Sequence, residues 1–186
     1  MVDLKAQKGD YRRTALAIRK SSATKNKNIA INKALNLVTN SEKAKVIAGY
    51  LSIGSEANPI SFMIKRASFQ KVTVPVVINS REALKFSLWT PSSKLKTADF
   101  GVSIPRVNEF LEPDIIVVPM LAFNSRGARL GYGGGFYDRT LSSLRATKKI
   151  TAIGIAFSEQ QIEGLPIGKN DQFVDCIVTD KNTFWL

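Results

Sequence analysis

The fold is decided by residues 114–138, which read DIIVVPMLAFNSRGARLGYGGGFYD. The apolar run at 114–119 is typical of a strand that is buried on both faces of a parallel sheet. A glycine-rich loop follows it, and the residues after the loop predict a helix over about 135–147. Strand, loop and helix in this order predict an α/β domain, in which ligands bind at the carboxyl ends of the strands.

The rest of the chain continues this alternation. Asn28 is the expected cap of a second helix that ends near Thr39, and Pro75 predicts an edge strand or a strand end. The other predicted elements are helices over 4–20, 59–69 and 159–163, and strands over 45–52, 72–78, 84–89, 150–157 and 173–179. We therefore predict a three-layer αβα domain with a mostly parallel central sheet, Rossmann-like but without a GxGxxG loop. Residues 1–186 are expected to form one domain, with a helical pair at 1–40 and an α/β core at 41–186.

The amino-acid composition excludes several kinds of catalytic and metal site. The chain has no histidine, which excludes a histidine-based catalytic triad and a histidine-ligated zinc site. Acid–base and metal chemistry must then use carboxylates, lysine, tyrosine or water. Cys176, the single cysteine, is expected in the core and fits a reducing compartment. No apolar run is long enough to span a bilayer, and residues 1–13 lack a secretory apolar region, so we expect a cytoplasmic protein without a membrane partner.

Positive charge is concentrated near the N-terminus. The formal net charge is +12, and residues 1–50, with eleven Lys/Arg and three Asp/Glu, supply +8 of it. Lys8, Arg12 and Arg19 share one stripe of the first predicted helix. This charge favours a polyanionic partner, and a basic nucleic-acid-binding module is one hypothesis. No module signature and no interleaved aromatic residues support it, and a solvated basic surface explains the charge equally well.

The glycine-rich loop predicts phosphate binding. Gly131 and the three glycines at 133–135 leave successive backbone N–H groups unshielded, and the following helix directs its positive end to the same place. Arg126 and Arg129 add guanidinium groups suited to phosphate. The loop matches neither the Walker A pattern nor GxGxxG. A flexible surface turn is the alternative. It is disfavoured because ordering so many glycines costs backbone entropy, which a simple turn does not offset.

This segment resembles the hallmark of the 5-formyltetrahydrofolate cyclo-ligases, also called methenyltetrahydrofolate synthetases. The matching positions are Pro119, Ala122, Phe123, Gly127, Arg129, Leu130, Gly131, Tyr132, Gly133, Gly135, Tyr137, Asp138 and Arg139. The resemblance extends to Lys8, Arg12, Tyr50, Leu51, Ser52, Glu56, Gly101, Pro105, Gly154, Ala156, Phe157, Gln161, Leu165, Pro166, Asp171 and Thr179. The chain departs from the pattern at Asn124, Phe136 and Asn170, where the family has aspartate, tyrosine and histidine.

The resemblance implies an ATP- and Mg²⁺-dependent cyclisation of 5-formyltetrahydrofolate to 5,10-methenyltetrahydrofolate, with release of ADP and phosphate. A phosphorylated formyl group would be the intermediate. The substrate could carry a polyglutamate tail, and nucleic acid is an unlikely partner. A family member that binds folate or nucleotide without turnover is the alternative.

The resemblance also assigns roles to residues. Asp138 and Asp171 would be the Mg²⁺ carboxylates, Arg129 and Tyr137 would be catalytic, and Leu51, Glu56 and Tyr137 would contact the folate. ATP would be bound by Lys8, Arg12, Arg129, Leu130, Gly131, Tyr132, Gly133, Gly134, Gly135, Phe136 and Tyr137. The alternatives are a loop acid exposed to solvent for Glu56, a helix N-terminal charge for Asp138 and a loop cap for Asp171. Trp89 and Trp185 are expected to be packing residues.

Overall fold

A computed structural model describes residues 3–40, 44–98, 101–107 and 109–186. The helices are α1 (Leu4–Ser22), α2 (Lys25–Val38), α3 (Ile60–Ala67) and α4 (Phe136–Arg145). The strands are β1 (Val46–Ala48), β2 (Lys71–Val76), β3 (Lys85–Trp89), β4 (Leu95–Thr97), β5 (Ser103–Pro105), β6 (Ile115–Pro119), β7 (Ala122–Phe123), β8 (Arg129–Leu130), β9 (Thr151–Ile155), β10 (Cys176–Val178) and β11 (Thr183–Trp185). A 3₁₀ helix spans Ser158–Gln160.

The main sheet is largely parallel. Within the described ranges seven strands form it, in the order β11-β10-β9-β6-β1-β2-β3. The five inner strands run parallel to one another, and the two outer strands, β3 and β11, are antiparallel to their neighbours. The predicted α/β class with a mostly parallel sheet is confirmed.

Helices cover both faces of the sheet because β6 carries apolar side chains on both. Ile115 and Val117 pack with residues of α2 and α3, whereas Ile116 and Val118 pack with Leu141 of α4. Each face therefore buries its own apolar layer, which produces the predicted αβα arrangement. Cys176 is buried in the first layer, as predicted.

Helices α1 and α2 pack into different parts of the core. Ala15 of α1 packs against Leu130 of β8 and against Leu121 and Leu165, which lie in loops. Ile31 of α2 packs against the sheet instead. Helix α1 consequently borders the carboxyl ends of the strands, where the predicted ligand site lies. Among the described residues, no helix has the length and apolarity required to cross a bilayer.

Some predicted boundaries were wrong. Thr24, not Asn28, caps α2, with its hydroxyl accepting from the Lys27 amide at 3.3 Å. The Asn28 side chain instead accepts from the Asn58 amide at 2.7 Å. Strand β1 ends at Ala48, well before residue 52, so the residues that follow it are free to line a cleft.

Pro75 marks a strand end and not an edge strand. Strand β2 lies between β1 and β3, and Pro75 lies beyond Thr73, the last β2 residue paired with β1. The missing N–H therefore removes no bond to β1. Trp89 is a core residue, as expected, whereas Trp185 in β11 is half exposed.

Candidate functional site

A cleft of about 940 Å³ opens where strands β1, β2 and β6 end. Tyr50 follows β1, Val77 follows β2 and Met120 follows β6, and all three line the cleft. Strands β2 and β6 lie on opposite sides of β1. The chain leaves β1 towards β2 and leaves β6 towards β9, on opposite sides, so a crevice opens between the ends of β1 and β6. Open α/β sheets bind ligands in such a crevice.

Every residue to which the family resemblance assigned a role lines this cleft. They are Lys8, Arg12, Leu51, Glu56, Arg129, Leu130, Gly131, Tyr132, Gly133, Gly134, Gly135, Phe136, Tyr137, Asp138 and Asp171. Arg126 is different, because it lies in the exposed turn between β7 and β8 and does not line the cleft. Their placement together leaves the individual roles as predictions.

The glycine-rich loop is shaped by two left-handed residues and one arginine. Gly133 has φ of 101° and Gly135 has φ of 66°, which side chains disfavour. A Cβ on Gly133 would lie 3.0 Å from the Arg12 guanidinium carbon. Arg12 Nε also donates to the Gly131 carbonyl at 2.9 Å. Helix α4 begins directly after Gly135 without a side-chain cap, so its first N–H groups remain available to an anion.

Two carboxylates lie beside this loop, each held by a cation. Lys8 Nζ lies 2.5 Å from Asp171 Oδ2, and Arg129 Nη2 lies 3.0 Å from Asp138 Oδ1. The Gln172 amide also donates to Asp138 Oδ1 at 3.0 Å, and its carbonyl accepts from Arg129 Nη1. Because Asp171 precedes Gln172, this contact keeps the two carboxylates close together. The Arg129 fork points at protein acceptors and is not an open phosphate fork.

The donor atoms fit a hard cation that is completed by other oxygens. Asp138 Oδ2 and Asp171 Oδ1 have no hydrogen-bond partner among the described residues. Magnesium commonly takes one or two carboxylates together with phosphate and water oxygens. No group of three or more acidic, cysteine or histidine residues that could hold a metal occurs in the described ranges. The two carboxylates alone would leave most of the coordination shell of such a cation to other oxygens.

Glu56 is buried, so its interpretation as a solvent-exposed loop acid was wrong. Its Oε2 accepts from the Ile53 amide at 2.8 Å, and its Oε1 lies 3.8 Å from Arg19 Nη1. Burial raises the pKa of Glu56, and the Ile53 amide and the Arg19 charge oppose that rise. Glu56 is thus a desolvated acceptor in the wall of the cleft.

Two tyrosines near Glu56 keep their protons. Burial is the main cause that raises the pKa of Tyr137 and of Tyr50, and the Glu56 charge adds to both shifts. Tyr50 donates to the Ala57 carbonyl. Tyr137 has no hydrogen-bond partner for its hydroxyl among the described residues. Tyr137 is therefore an unused O–H donor that lines the cleft.

The sequence analysis gave no site role to Arg19. This arginine is buried, and it contacts Glu56 and Tyr132, two of the lining residues. Arg19 lies eleven residues after Lys8, which is about three helical turns, so both side chains lie on the same side of α1. This spacing was the sequence signal that could have placed Arg19 at the site. The apolar lining of the cleft was also not predicted from the sequence; it includes Leu84, Val102, Ile104 and Met120.

Fold and site together define an α/β enzyme with a cleft for a small ligand. The model of the 5-formyltetrahydrofolate cyclo-ligase family matches residues 4–180. The chain belongs to this family of enzymes, as its motifs predicted.

Individual relatives and a solved structure also belong to this family by name. A Haemophilus influenzae 5-formyltetrahydrofolate cyclo-ligase is 36% identical over 140 residues, covering 72% of this chain and 74% of the relative. The Escherichia coli K12 protein of the same name is 31% identical over 144 residues, covering 73% and 78%. The NMR structure of Aquifex aeolicus 5,10-methenyltetrahydrofolate synthetase superposes with a TM-score of 0.80 at 27% identity, over 96% of this chain and 92% of that one.

Proposed function

We propose that this chain catalyses the ATP- and Mg²⁺-dependent cyclisation of 5-formyltetrahydrofolate to 5,10-methenyltetrahydrofolate, releasing ADP and phosphate. The observation that carries the proposal is the division of one cleft into two chemically different groups of residues. The glycine-loop group comprises residues 129–138 with Lys8, Arg12 and Asp171. The Glu56 group comprises Tyr50, Leu51, Ile53 and Glu56.

The glycine-loop group suits a triphosphate. Lys8 and Arg12 supply positive charge from α1, and the uncapped start of α4 supplies N–H donors. Arg12 is already fixed by the Gly131 carbonyl, so it needs little reordering when a phosphate arrives. In this proposal the backbone N–H groups of residues 130–137 bind the phosphates, and Arg129 orients Asp138.

Asp138 and Asp171 would hold the Mg²⁺ ion, which would neutralise phosphate charge during transfer. Each carboxylate is paired with a lysine or arginine in the ligand-free chain. A phosphate can take over the Lys8 contact when the carboxylate turns to a cation. Each charged side chain then keeps a partner of opposite sign when the ligand is bound.

The Glu56 group suits the flat, polar ring of a folate. A buried carboxylate with an unused oxygen lone pair accepts N–H groups from an aminopyrimidine ring, and Leu51 offers an apolar wall. Tyr137 belongs to the glycine-loop group, and the charge of Glu56 in the other group helps to raise its pKa. Its protonated hydroxyl could donate to the formyl oxygen or to a phosphate oxygen.

The reaction proceeds in two balanced steps under this proposal. The formyl oxygen attacks the γ-phosphorus, the bond from that phosphorus to the bridging oxygen breaks, and ADP leaves. N10 then attacks the formyl carbon and loses its proton, the carbon–oxygen bond breaks, and phosphate departs with the former formyl oxygen. Such a transfer needs positioning and charge neutralisation more than a protein nucleophile, which agrees with a chain without histidine.

One assay tests the proposal: purified protein, 5-formyltetrahydrofolate and Mg-ATP, followed by the near-ultraviolet absorbance of the methenyl product. We expect product only when ATP is present, with ADP and phosphate formed in equal amounts. Folate and ATP binding without product would indicate a non-catalytic member of the family. Salt-sensitive RNA binding without product would favour the nucleic-acid hypothesis. The position of Lys8 and Arg12 inside the cleft argues against that hypothesis.

A further inference from the structure

Arg19 is a buried arginine that joins three segments of the chain. Only 1% of its surface is exposed. Its Nε donates to Ser55 Oγ at 3.1 Å, its Nη2 donates to the Tyr132 hydroxyl, and its Nη1 lies 3.8 Å from Glu56 Oε1. Tyr132 belongs to the glycine-loop group, and Glu56 gives its name to the other. One guanidinium therefore contacts both groups of cleft residues from behind.

A comparison with Arg66 shows that this is not the usual packing of a buried arginine. Arg66 is equally buried, and its hydrogen bonds go to Asn36, Thr39, Asn40 and Gln70, none of which lines the cleft. It fastens α3 to the end of α2.

Each of these two buried arginines leaves one guanidinium nitrogen without a hydrogen-bond partner among the described residues, Arg66 Nε and Arg19 Nη1. Only Arg19 Nη1 faces a carboxylate of the cleft, because Glu56 Oε1 lies opposite it but beyond hydrogen-bond distance. A buried ion pair with an unsatisfied N–H is weak evidence for a stabilising role. The arrangement instead leaves Glu56 Oε1 attracted by a cation but available to a ligand donor.

We propose that Arg19 is a positioning residue, which holds Glu56 and Tyr132 in fixed relation and so aligns the Glu56 group with the glycine loop. The inference rests on the proposed function of the cleft. Through Tyr132, Arg19 restrains the loop at Gly131 and Gly133. Through Ser55 and the charge opposite Glu56, it fixes the acid that would receive the folate ring.

The electrostatic part of this role has its own consequence. The groups that face Glu56 are Arg19, the Ile53 amide and the two protonated tyrosines, Tyr50 and Tyr137. Arg19 is the cation in this set. Without it, the carboxylate would protonate at higher pH and would stop accepting N–H groups from the folate ring there.

The test compares Arg19→Gln, Arg19→Lys and Tyr132→Phe in steady-state kinetics with each substrate varied in turn. We expect Arg19→Gln to raise KM for 5-formyltetrahydrofolate about tenfold or more, as for a lost charged partner. The acid limb of its folate KM profile should move to higher pH. Arg19→Lys should keep the acid limb near that of the wild type, because the charge remains, yet raise KM for ATP severalfold. Tyr132→Phe should raise KM for ATP and leave the folate acid limb unchanged.

Arg66→Gln is the matched control, because it removes an equally buried guanidinium elsewhere. It should lower the unfolding temperature and leave both KM values and the acid limb unchanged. Arg19→Gln with wild-type KM values and an unmoved acid limb would overturn the inference. If Arg19→Gln does not fold, Tyr132→Phe decides, and an unchanged KM for ATP would overturn the inference. A wild-type chain that forms no product would contradict the proposed function, whereas a failed variant pattern on an active chain would contradict only the role of Arg19.

Discussion

Two of the three acid–cation pairs at the cleft differ in solvent access and geometry. The Glu56 and Arg19 side chains are 5% and 2% exposed, and their closest charged atoms are 3.8 Å apart. The Asp171 and Lys8 side chains are 20% and 15% exposed and lie 2.5 Å apart. The deeper pair is thus held by its surroundings, whereas the outer pair is held by its own contact.

This difference matches two kinds of ligand chemistry. A buried acid that is already oriented suits a neutral ring, whose N–H donors it can accept without a change of net charge. An outer pair that water reaches can separate at lower cost, because solvent stabilises both charges while partners are exchanged. The outer pair therefore suits a polyanion that arrives with a metal ion. Arg129–Asp138 belongs with it, since Asp138 is 30% exposed.

The largest expected effect is on the outer side. Asp138→Asn keeps an oxygen for Arg129 and the Gln172 amide but removes the charge proposed to hold Mg²⁺. We expect kcat/KM for Mg-ATP to fall about 100-fold, as when one preorganised electrostatic group is removed, and the Mg²⁺ requirement to rise. Asp175→Asn is the control, because Asp175 pairs with Arg145 outside the cleft. An unchanged Mg²⁺ dependence in Asp138→Asn would remove it from the proposed metal site.

The deep side is tested by Glu56→Gln. The amide oxygen can still accept from the Ile53 amide, but the charge opposite Arg19 is lost. We expect KM for 5-formyltetrahydrofolate to rise about 30-fold, within the range for a lost charged hydrogen bond, and KM for ATP to change little. Glu159→Gln, in the outlying pair with Lys27, is the control. Equal changes in both KM values would contradict the division of the cleft.

Arg129→Ala should have a smaller and purely outer effect. Its guanidinium contacts Asp138 and the Gln172 carbonyl, so its loss frees the carboxylate rather than deleting it. We expect the apparent requirement for ATP to rise about tenfold. Arg13→Ala is the control, because Arg13 pairs with Asp10 on α1 and does not line the cleft, and it should leave the ATP response unchanged. An unaltered response to ATP would contradict the proposed role of Arg129.

The smallest effect is a shift in pH dependence. Burial raises the pKa of Glu56 above its ordinary value of 4.5. Because the ionised form accepts the ring N–H groups, folate affinity should fall as pH decreases through this raised pKa, hence at higher pH than for an exposed glutamate. Folate KM measured against pH at saturating Mg-ATP checks this, and Glu56→Gln should lack the limb. A wild-type limb at the ordinary glutamate value would mean that Glu56 is well solvated in solution.

The main sheet could be predicted because its inner strands carry their own pattern. Ile115–Val118 is apolar at every position, which indicates burial on both faces before any partner is known. Strand β4 was missed for the opposite reason: Leu95, Lys96 and Thr97 are all exposed, so they show no alternation. Strands β7 and β8 have two residues each, too few for a period.

The same distinction applies to the cleft. Gly131–Asp138 is contiguous, so the chemistry of the loop could be inferred from neighbouring letters. Arg19 could not be distinguished from a solvated arginine, because its partners lie 36 and 113 residues away. Only the tertiary fold brings Ser55 and Tyr132 around it.

The contact between Lys8 and Asp171 spans 163 residues, which has a consequence for how the protein matures. During synthesis, α1 emerges long before the loop that holds Asp171, because 163 residues separate Lys8 from Asp171. Long-range contacts of this kind form late because their loop-closure entropy must first be offset by other structure. The outer half of the cleft is thus completed only after the sheet has assembled. A nascent chain would therefore expose its glycine-rich loop for some time before Asp171 and Lys8 came together beside it.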